Sequence, residues 1–217
     1  MGNSAARQIL SEQAFISEVF HNLSQPLTAL HCNLDLALQN DRTYEQLRAS
    51  VQDALSNAER LRQRLLLVRA LNDACEPDAP SQPTDLVALL RDLKEDMTPL
   101  FKSAGRNFVL ETASGPLQVR AEVTRLMRCL LVLLEYLLLY LPEGDTLSVS
   151  VAQRAERYVE VRIAGAVSLP VGPVDGERCH AVEIELVRRT FAAAGGEFAL
   201  DRSNADRAVC VGTLPLA

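Results

Sequence analysis

The first seventy residues carry hydrophobic side chains at alternating steps of three and four positions. In the first segment these positions are Ile16, Phe20, Leu23, Leu27, Leu30, Leu34 and Ala37. In the second they are Tyr44, Leu47, Val51, Ala54, Ala58, Leu61, Leu65 and Val68. This is the heptad spacing of helices that pack along one seam. The pattern predicts two long helices, with Thr43 capping the second and Gln46 closing a capping box.

A short polar turn, "QNDR", separates the two helices, so we expect them to fold back as an antiparallel hairpin. Five further hydrophobic residues widen the stripe: Val19, Leu36, Leu55, Leu66 and Leu67. A lone hairpin cannot cover so wide a stripe. A second copy of the chain would cover it, and we therefore expect a homodimer held by a four-helix bundle through about residues 14–68.

The pattern changes after residue 74. The stretch "CEPDAPSQPTD" contains three prolines and predicts a linker over residues 75–84, because proline cannot continue a helix. From residue 85 to 217 helical segments mix with short strands such as "NFVLET", "LQVRA" and the alternating pair "TLSVSVAQ" and "YVEVRIAG". The predicted fold class is α+β, with a helical hairpin over residues 1–74 followed by an α/β sandwich.

Composition narrows the partners and the compartment. The 217 residues carry a net charge of -6, which argues against a nucleic acid or an anionic membrane surface as partner. The five cysteines are scattered without a CxxC pair, so we expect reduced thiols in a cytoplasmic protein and no metal site. The beginning of the chain is polar and predicts no signal peptide. The apolar run "CLLVLLEYLLLYL" is shorter than the roughly 20 residues of a membrane span.

His21 lies at the outward b position of the first helix, where an ordinary surface histidine is the simplest interpretation. Five residues later, Pro26 removes a backbone amide and frees the carbonyl of Asn22. Together, "FHNLSQPLTAL" resembles the phosphoacceptor box of histidine kinases, in which proline bends the helix just after the histidine. The resemblance implies that His21 accepts phosphate and that Asn22, Gln25 and Pro26 belong to the same site.

The order of hairpin, linker and α/β domain is also similar to a histidine-kinase transmitter, whose second domain binds ATP. "LLVLLEYLLLYLPEG" resembles the segment with the magnesium-binding asparagine, but Tyr136 stands at that position, beside a retained Glu135 and after Val132. Ala164 stands near the adenine-binding aspartate, and only Gly165 remains of the following glycines.

The last motif of the family departs in the same way. "CHAVEIELVRRTFAAAGGEF" resembles the glycine-rich phosphate segment and its helix, but Ala181 and Glu183 replace glycines, while Gly195 and Gly196 are kept. A carboxylate at this helix start would repel a triphosphate. Asn22, directly after the histidine, cannot act as the base that kinases place there.

These departures all concern the use of ATP. The chain therefore resembles the dimeric histidine phosphotransferases of the ChpT type, built on a degenerate kinase scaffold. The resemblance implies transfer of phosphate between response-regulator receiver domains through His21, with no cofactor or metal held by this chain. The receiver would supply its own phosphorylated aspartate and Mg²⁺.

Hairpin geometry adds two groups of residues. If the turn centres near residue 41, His21 lies opposite a basic stretch of the second helix that holds the phosphoryl-stabilising candidates Arg60, Arg62 and Arg64. A solvated basic face is an equally good interpretation of these residues. Toward the turn lie the positions that select the receiver in the family: Thr28, His31, Cys32 and Asp35. His31 has no phosphoacceptor motif of its own, and neither does His180.

Three other functions remain open from the sequence. The chain could be a divergent kinase fragment that still binds ATP, a receiver phosphatase that uses Gln25 to position water, or a dimeric adaptor in which His21 is idle.

Overall fold

The computed structural model describes residues 2–39, 43–74, 83–113, 115–154, 156–169, 182–204 and 207–217. The chain forms two compact units, the first extending to Asn72 and the second beginning at Asp73. The first is helical and the second mixes helices with a sheet. The predicted α+β fold class is therefore confirmed. Part of the predicted linker, residues 75–82, lies outside the described residues, as do His180 and Ala181.

The first unit contains helices α1 (Gly2–Ala37) and α2 (Tyr44–Asp73). Helix α1 begins well before the first predicted heptad position, and it continues through Pro26. The predicted capping box opens α2. The Thr43 amide donates to Oε1 of Gln46 at 3.1 Å, and the Gln46 amide donates to Oγ1 of Thr43 at 3.3 Å. Two amides that would lack partners at the helix start are thereby satisfied.

One chain covers only part of the hydrophobic seam of α1. The first heptad position is exposed in every described repeat, with 65% of Phe20, 54% of Leu27 and 45% of Leu34 accessible. The fourth position, occupied by Leu23 and Leu30, is half-buried. The two edges of the hydrophobic stripe therefore differ in burial. The edge formed by Phe20, Leu27 and Leu34 is the more exposed, and no described part of the chain covers it.

The covered face of α2 differs from the predicted seam. Ser50, Ala54 and Asn57 are buried, although two of them are polar, whereas Val51 and Leu65 remain about half exposed. The Asn57 amide donates to the carbonyl of Asp53 at 2.9 Å, which satisfies part of its side chain inside the helix. The predicted seam residue Ala54 is buried together with two polar residues outside the seam, because amides and hydroxyls that bond locally can be buried.

The second unit is built on a five-stranded sheet. Its strands are β2 (Asn107–Glu111), β4 (Thr146–Arg154), β5 (Tyr158–Gly165), β6 (Glu197–Asn204) and β7 (Arg207–Pro215). Their order is β2-β4-β5-β7-β6; β2 and β4 are parallel, and the other neighbours are antiparallel. Strands β1 (Thr84–Asp85) and β3 (Gln118–Val119) form a separate pair. Most of the predicted strand "LQVRA" is therefore outside the main sheet.

Three helices complete the second unit: α3 (Leu86–Ser103), α4 (Val123–Tyr140) and α5 (Val182–Ala193). The Asp85 carboxylate caps α3, and the Glu122 carboxylate caps α4. Alternate residues of β4, including Leu147 and Val149, are buried, as expected when helices cover one sheet face. In the described parts of the chain, no helix combines the length and hydrophobicity needed to cross a membrane.

Candidate phosphotransfer site

His21 lies on the solvent-exposed side of α1. Its neighbour Gln25, one helical turn later, is also exposed, and the amide Nε2 of Gln25 lies 2.9 Å from Nε2 of the imidazole. A spacing of four residues brings side chains together on one helix face. The structure therefore joins two of the predicted catalytic residues by a hydrogen bond.

The other two predicted catalytic residues lie on a different side of the helix. Asn22 and Pro26 are half-buried, since they are rotated about 100° from His21 and Gln25 around the helix axis. Asn22 therefore does not share the exposed face with His21. Pro26 is within the helix, where it lacks the amide that would bond the carbonyl of Asn22.

The predicted receiver-specificity residues continue the exposed face of His21. Thr28, Cys32 and Asp35 follow at steps of seven, eleven and fourteen residues, and all are exposed. At about 1.5 Å per residue the stripe from His21 to Asp35 is about 21 Å long. The imidazole Nδ1 of His31 lies 3.0 Å from a carboxylate oxygen of Asp35, so these two candidates form an exposed pair.

The three predicted phosphoryl-stabilising arginines have different surroundings. Arg62 forms a bidentate ion pair with Glu59, with nitrogen–oxygen distances of 2.9 and 2.7 Å. The hydrogen bond between the two side chains lowers the pKa of the Glu59 carboxyl and raises the pKa of the Arg62 guanidinium. Arg60 is exposed and has no ion-pair partner among the residues that the structure describes, and Arg64 is half-buried. Arg60 is therefore the arginine best able to meet an incoming anion.

Sequence reasoning missed Glu59, although its signal was present. A glutamate three residues before an arginine on a helix lies on the same face and pairs with it. The sequence prediction named only the cations opposite His21, and it omitted Glu59, which forms an ion pair with Arg62. The basic face is thus less positive than its three arginines suggest.

Hydrophobic side chains occupy the positions where the ATP motifs would lie in the second unit. Tyr136 on α4 is buried, and its ring packs edge-on against Tyr140 with centroids 5.2 Å apart. Ala164 on β5 is also buried. A Cβ added to Gly165 would lie 2.8 Å from Cδ1 of Leu147, so this retained glycine permits close packing of the core.

The start of α5 carries acidic side chains. Glu183 and Glu185 lie in its first turn, and Ile184 between them is fully buried. Carboxylates stabilise a helix start, but they also oppose the binding of a phosphate there. On α4, Val132 is half-buried. Desolvation by partial burial raises the pKa of Glu135, although this residue keeps much of its surface exposed.

No arrangement of three or more His, Cys, Asp or Glu side chains within the described ranges could hold a metal ion. Glu185, near the start of α5, pairs with Arg189 at 2.9 Å.

Comparison with known proteins identifies the class of fold. No model of a protein family matches the chain. Sensor protein IrlS of Burkholderia pseudomallei is 25% identical over 144 residues, which cover 65% of this chain but only 30% of that relative. Histidine kinase AdeS of Acinetobacter baumannii has a similar structure, with a TM-score of 0.71, 14% identity, and coverage of 90% of this chain and 98% of AdeS.

Two further solved structures agree with this. A histidine kinase from Burkholderia phymatum covers 100% of this chain and 99% of its own, with 17% identity and a TM-score of 0.57. Histidine kinase ThkA, solved in complex with response regulator protein TrrA, covers 99% of this chain and 64% of its own, with 15% identity and a TM-score of 0.63. The chain therefore has the fold of a histidine-kinase transmitter, a fold of two-component systems. Within that fold His21 is exposed on α1, whereas Tyr136 and Ala164 are buried in the second unit.

Proposed function

We propose that this protein is a histidine phosphotransferase that relays a phosphoryl group between receiver domains through His21 and does not use ATP. One contrast supports the proposal. His21 is exposed on a helical hairpin of kinase-like fold, whereas Tyr136, Ala164 and Ile184, at or beside the ATP-motif positions, are buried parts of the hydrophobic core. The acceptor has been kept accessible, and the nucleotide positions have become scaffold.

In the proposed reaction a neutral imidazole nitrogen of His21 attacks the phosphorus of a receiver's aspartyl phosphate. The nitrogen–phosphorus bond forms as the phosphorus–oxygen bond breaks, and the electron pair returns to the aspartate carboxylate. The receiver's Mg²⁺ holds the phosphoryl oxygens, so this chain needs to supply only the nucleophile and nearby positive charge. Transfer to a second receiver reverses these steps.

The exposed stripe containing Thr28, Cys32 and Asp35 is the proposed receiver-binding face, because it lies on the same side of α1 as His21. His31, paired with Asp35, lies at its edge. The solved complex of ThkA with a response regulator supports this choice of partner. A homodimer through the exposed edge of α1 leaves this face free, since Leu27 and Thr28 point in directions about 100° apart.

Gln25 supports a second candidate function, that of a receiver phosphatase. Its amide is held beside the imidazole, where it could orient a water molecule instead. The two functions consume the same substrate and differ in the fate of the phosphoryl group.

One experiment separates these functions. The protein is incubated either with a receiver carrying labelled phosphate or with γ-labelled ATP and Mg²⁺. A transferase takes the receiver's label, a phosphatase releases it as free phosphate, and a kinase acquires label from ATP. We expect label from the receiver and none from ATP, with His21→Ala as the unlabelled control. Incorporation from ATP would contradict the proposal, and so would release of phosphate without a labelled intermediate in the parent protein.

A further inference from the structure

Arg60 and Arg62 lie on opposite sides of α2, because residues two apart on a helix are rotated by about 200°. Arg62 follows Val51 by eleven residues and Leu55 by seven, and both spacings return to nearly the same helix face. Val51 is 50% exposed and Leu55 66% exposed. Arg62 therefore lies on the hydrophobic edge of α2 that the single chain leaves uncovered.

Arg60 borders the covered face of α2 instead. It follows the buried Asn57 by three residues and precedes the half-buried Arg64 by four, spacings that keep side chains on one side of a helix. Helices α1 and α2 make up nearly all of the described first unit, so their covered faces face each other. Arg60 therefore lies at the groove between α2 and the α1 of its own chain.

His21 lies between two edges of α1. Asn22, rotated about 100° to one side, is half-buried on the face that α2 of the same chain covers. Phe20, rotated about 100° to the other side, is 65% exposed on the uncovered hydrophobic edge. The imidazole thus borders two grooves, one formed with its own α2 and one that only a second copy of the chain completes.

The two arginines lie at the height of the histidine along the hairpin. Helix α1 ends at Ala37 and α2 begins at Tyr44, so His21, Arg60 and Arg62 are each about 20 residues from the middle of the turn. In a four-helix bundle with its twofold axis along the helices, α2 of one chain packs beside α1 of the other at equal height. Such a dimer brings Arg62 of one chain to the open groove beside His21 of the other.

We infer that each phosphotransfer site is shared between two chains, with His21 and Arg60 from one chain and Arg62, paired with Glu59, from the other. The inference rests on the proposed function and on the expected homodimer. Glu59 neutralises Arg62, so the groove formed with the second copy carries little net charge from this pair. Arg60 makes the groove within one chain positive, and the phosphoryl oxygens turn toward it.

Heterodimers test which chain supplies each arginine. One chain carries His21→Ala, so only the other chain can take label from a receiver. Arg60→Ala should slow uptake about tenfold when it is in the chain that keeps His21, and it should have no effect in the other chain. Arg62→Glu should slow uptake about tenfold only in the chain that lacks His21, because two carboxylates then repel the phosphoryl group.

Arg69→Ala is the matched control, because this exposed arginine of α2 lies about 13 Å farther from the turn than Arg60. It should leave uptake unchanged in either chain. The reverse pattern for Arg60 and Arg62, or equal effects in both chains, would overturn the shared site while leaving the proposed function in place. A parent that no receiver labels would instead refute the proposed function.

Cross-linking tests the arrangement without a receiver. Ser17 is exposed, about 40° from His21 toward Phe20, and within about two residues of the height of Arg62. With a short bismaleimide, the double variant Ser17→Cys, Arg62→Cys should form a covalent dimer. Asn22→Cys with Arg60→Cys should link only within a chain, and the single variants measure the background from native cysteines. A covalent dimer from the second pair, or none above background from the first, would contradict the shared site even if receivers label His21.

Discussion

The exposed hydrophobic residues of α1 allow the free energy of dimerisation to be predicted. Phe20, Leu27 and Leu34 leave 65%, 54% and 45% of their surfaces accessible in the single chain. Full burial of such a side chain contributes about 2 kcal/mol, so covering these fractions contributes about 3 kcal/mol per chain. A symmetric dimer buries these three residues in both chains, so the total contribution is about 6 kcal/mol. Replacing all three residues with serine should weaken dimerisation by about 10⁴-fold.

Light scattering coupled to size-exclusion chromatography, over a range of protein concentrations, measures this change. The parent should be a dimer at micromolar concentration and the triple variant a monomer with unchanged helical content. Leu139→Ser is the matched control, because this leucine on α4 is 71% exposed but lies outside the hairpin. A monomeric parent, or a triple variant that still forms dimers at the same concentration, would refute the reasoning.

Three further predictions follow from individual contacts. Arg60→Ala should slow transfer about tenfold, whereas Arg62→Ala should slow it less than about threefold, because Glu59 already neutralises Arg62. Single-turnover kinetics of the two variants measure the difference, and equal effects would contradict the prediction. Desolvation raises the pKa of Glu135, so the folded state binds a proton more tightly than the unfolded state, and stability falls as pH rises from about 4.5 through the raised pKa. Glu135→Gln should therefore raise Tm at pH 7 and leave it unchanged below about pH 4 in thermal scans; an equal shift at both pH values would be inconsistent. Gly165→Ala should destabilise the fold by about 1–3 kcal/mol in urea unfolding, because its Cβ would meet Leu147, and an unchanged midpoint would argue against the close packing.

The sequence predicted most elements of the fold because their signals are local. Heptad spacing located the two helices of the hairpin, and the reciprocal bonds between Thr43 and Gln46 confirm the predicted start of the second. Period-two alternation located β4 and β5, which pair in antiparallel register as expected. Most of the apolar run "CLLVLLEYLLLYL" lies in helix α4, as expected for a core helix, and Glu122 caps the start of that helix.

Features that depend on packing or pairing were harder to predict. Ser50 and Asn57 are buried because of the face that α2 turns inward. Their polar side chains give no signal in the sequence that these positions are buried. The pairing of "LQVRA" with β1 instead of the main sheet depends on the path of the chain. For the candidate site, sequence resemblance selected His21 and Gln25, but only the structure shows that their side chains lie within hydrogen-bonding distance of each other.

The relay of phosphate between two receivers tests the central claim most directly. A labelled receiver is mixed with a second, unlabelled receiver and a catalytic amount of this protein, without ATP. We predict that label appears on the second receiver with the parent and with His31→Ala, passes through an acid-labile and base-stable intermediate, and fails to move with His21→Ala although the dimer remains intact. Label that moves equally fast with His21→Ala, or a parent that moves no label between any pair of receivers from its own organism, would contradict the account.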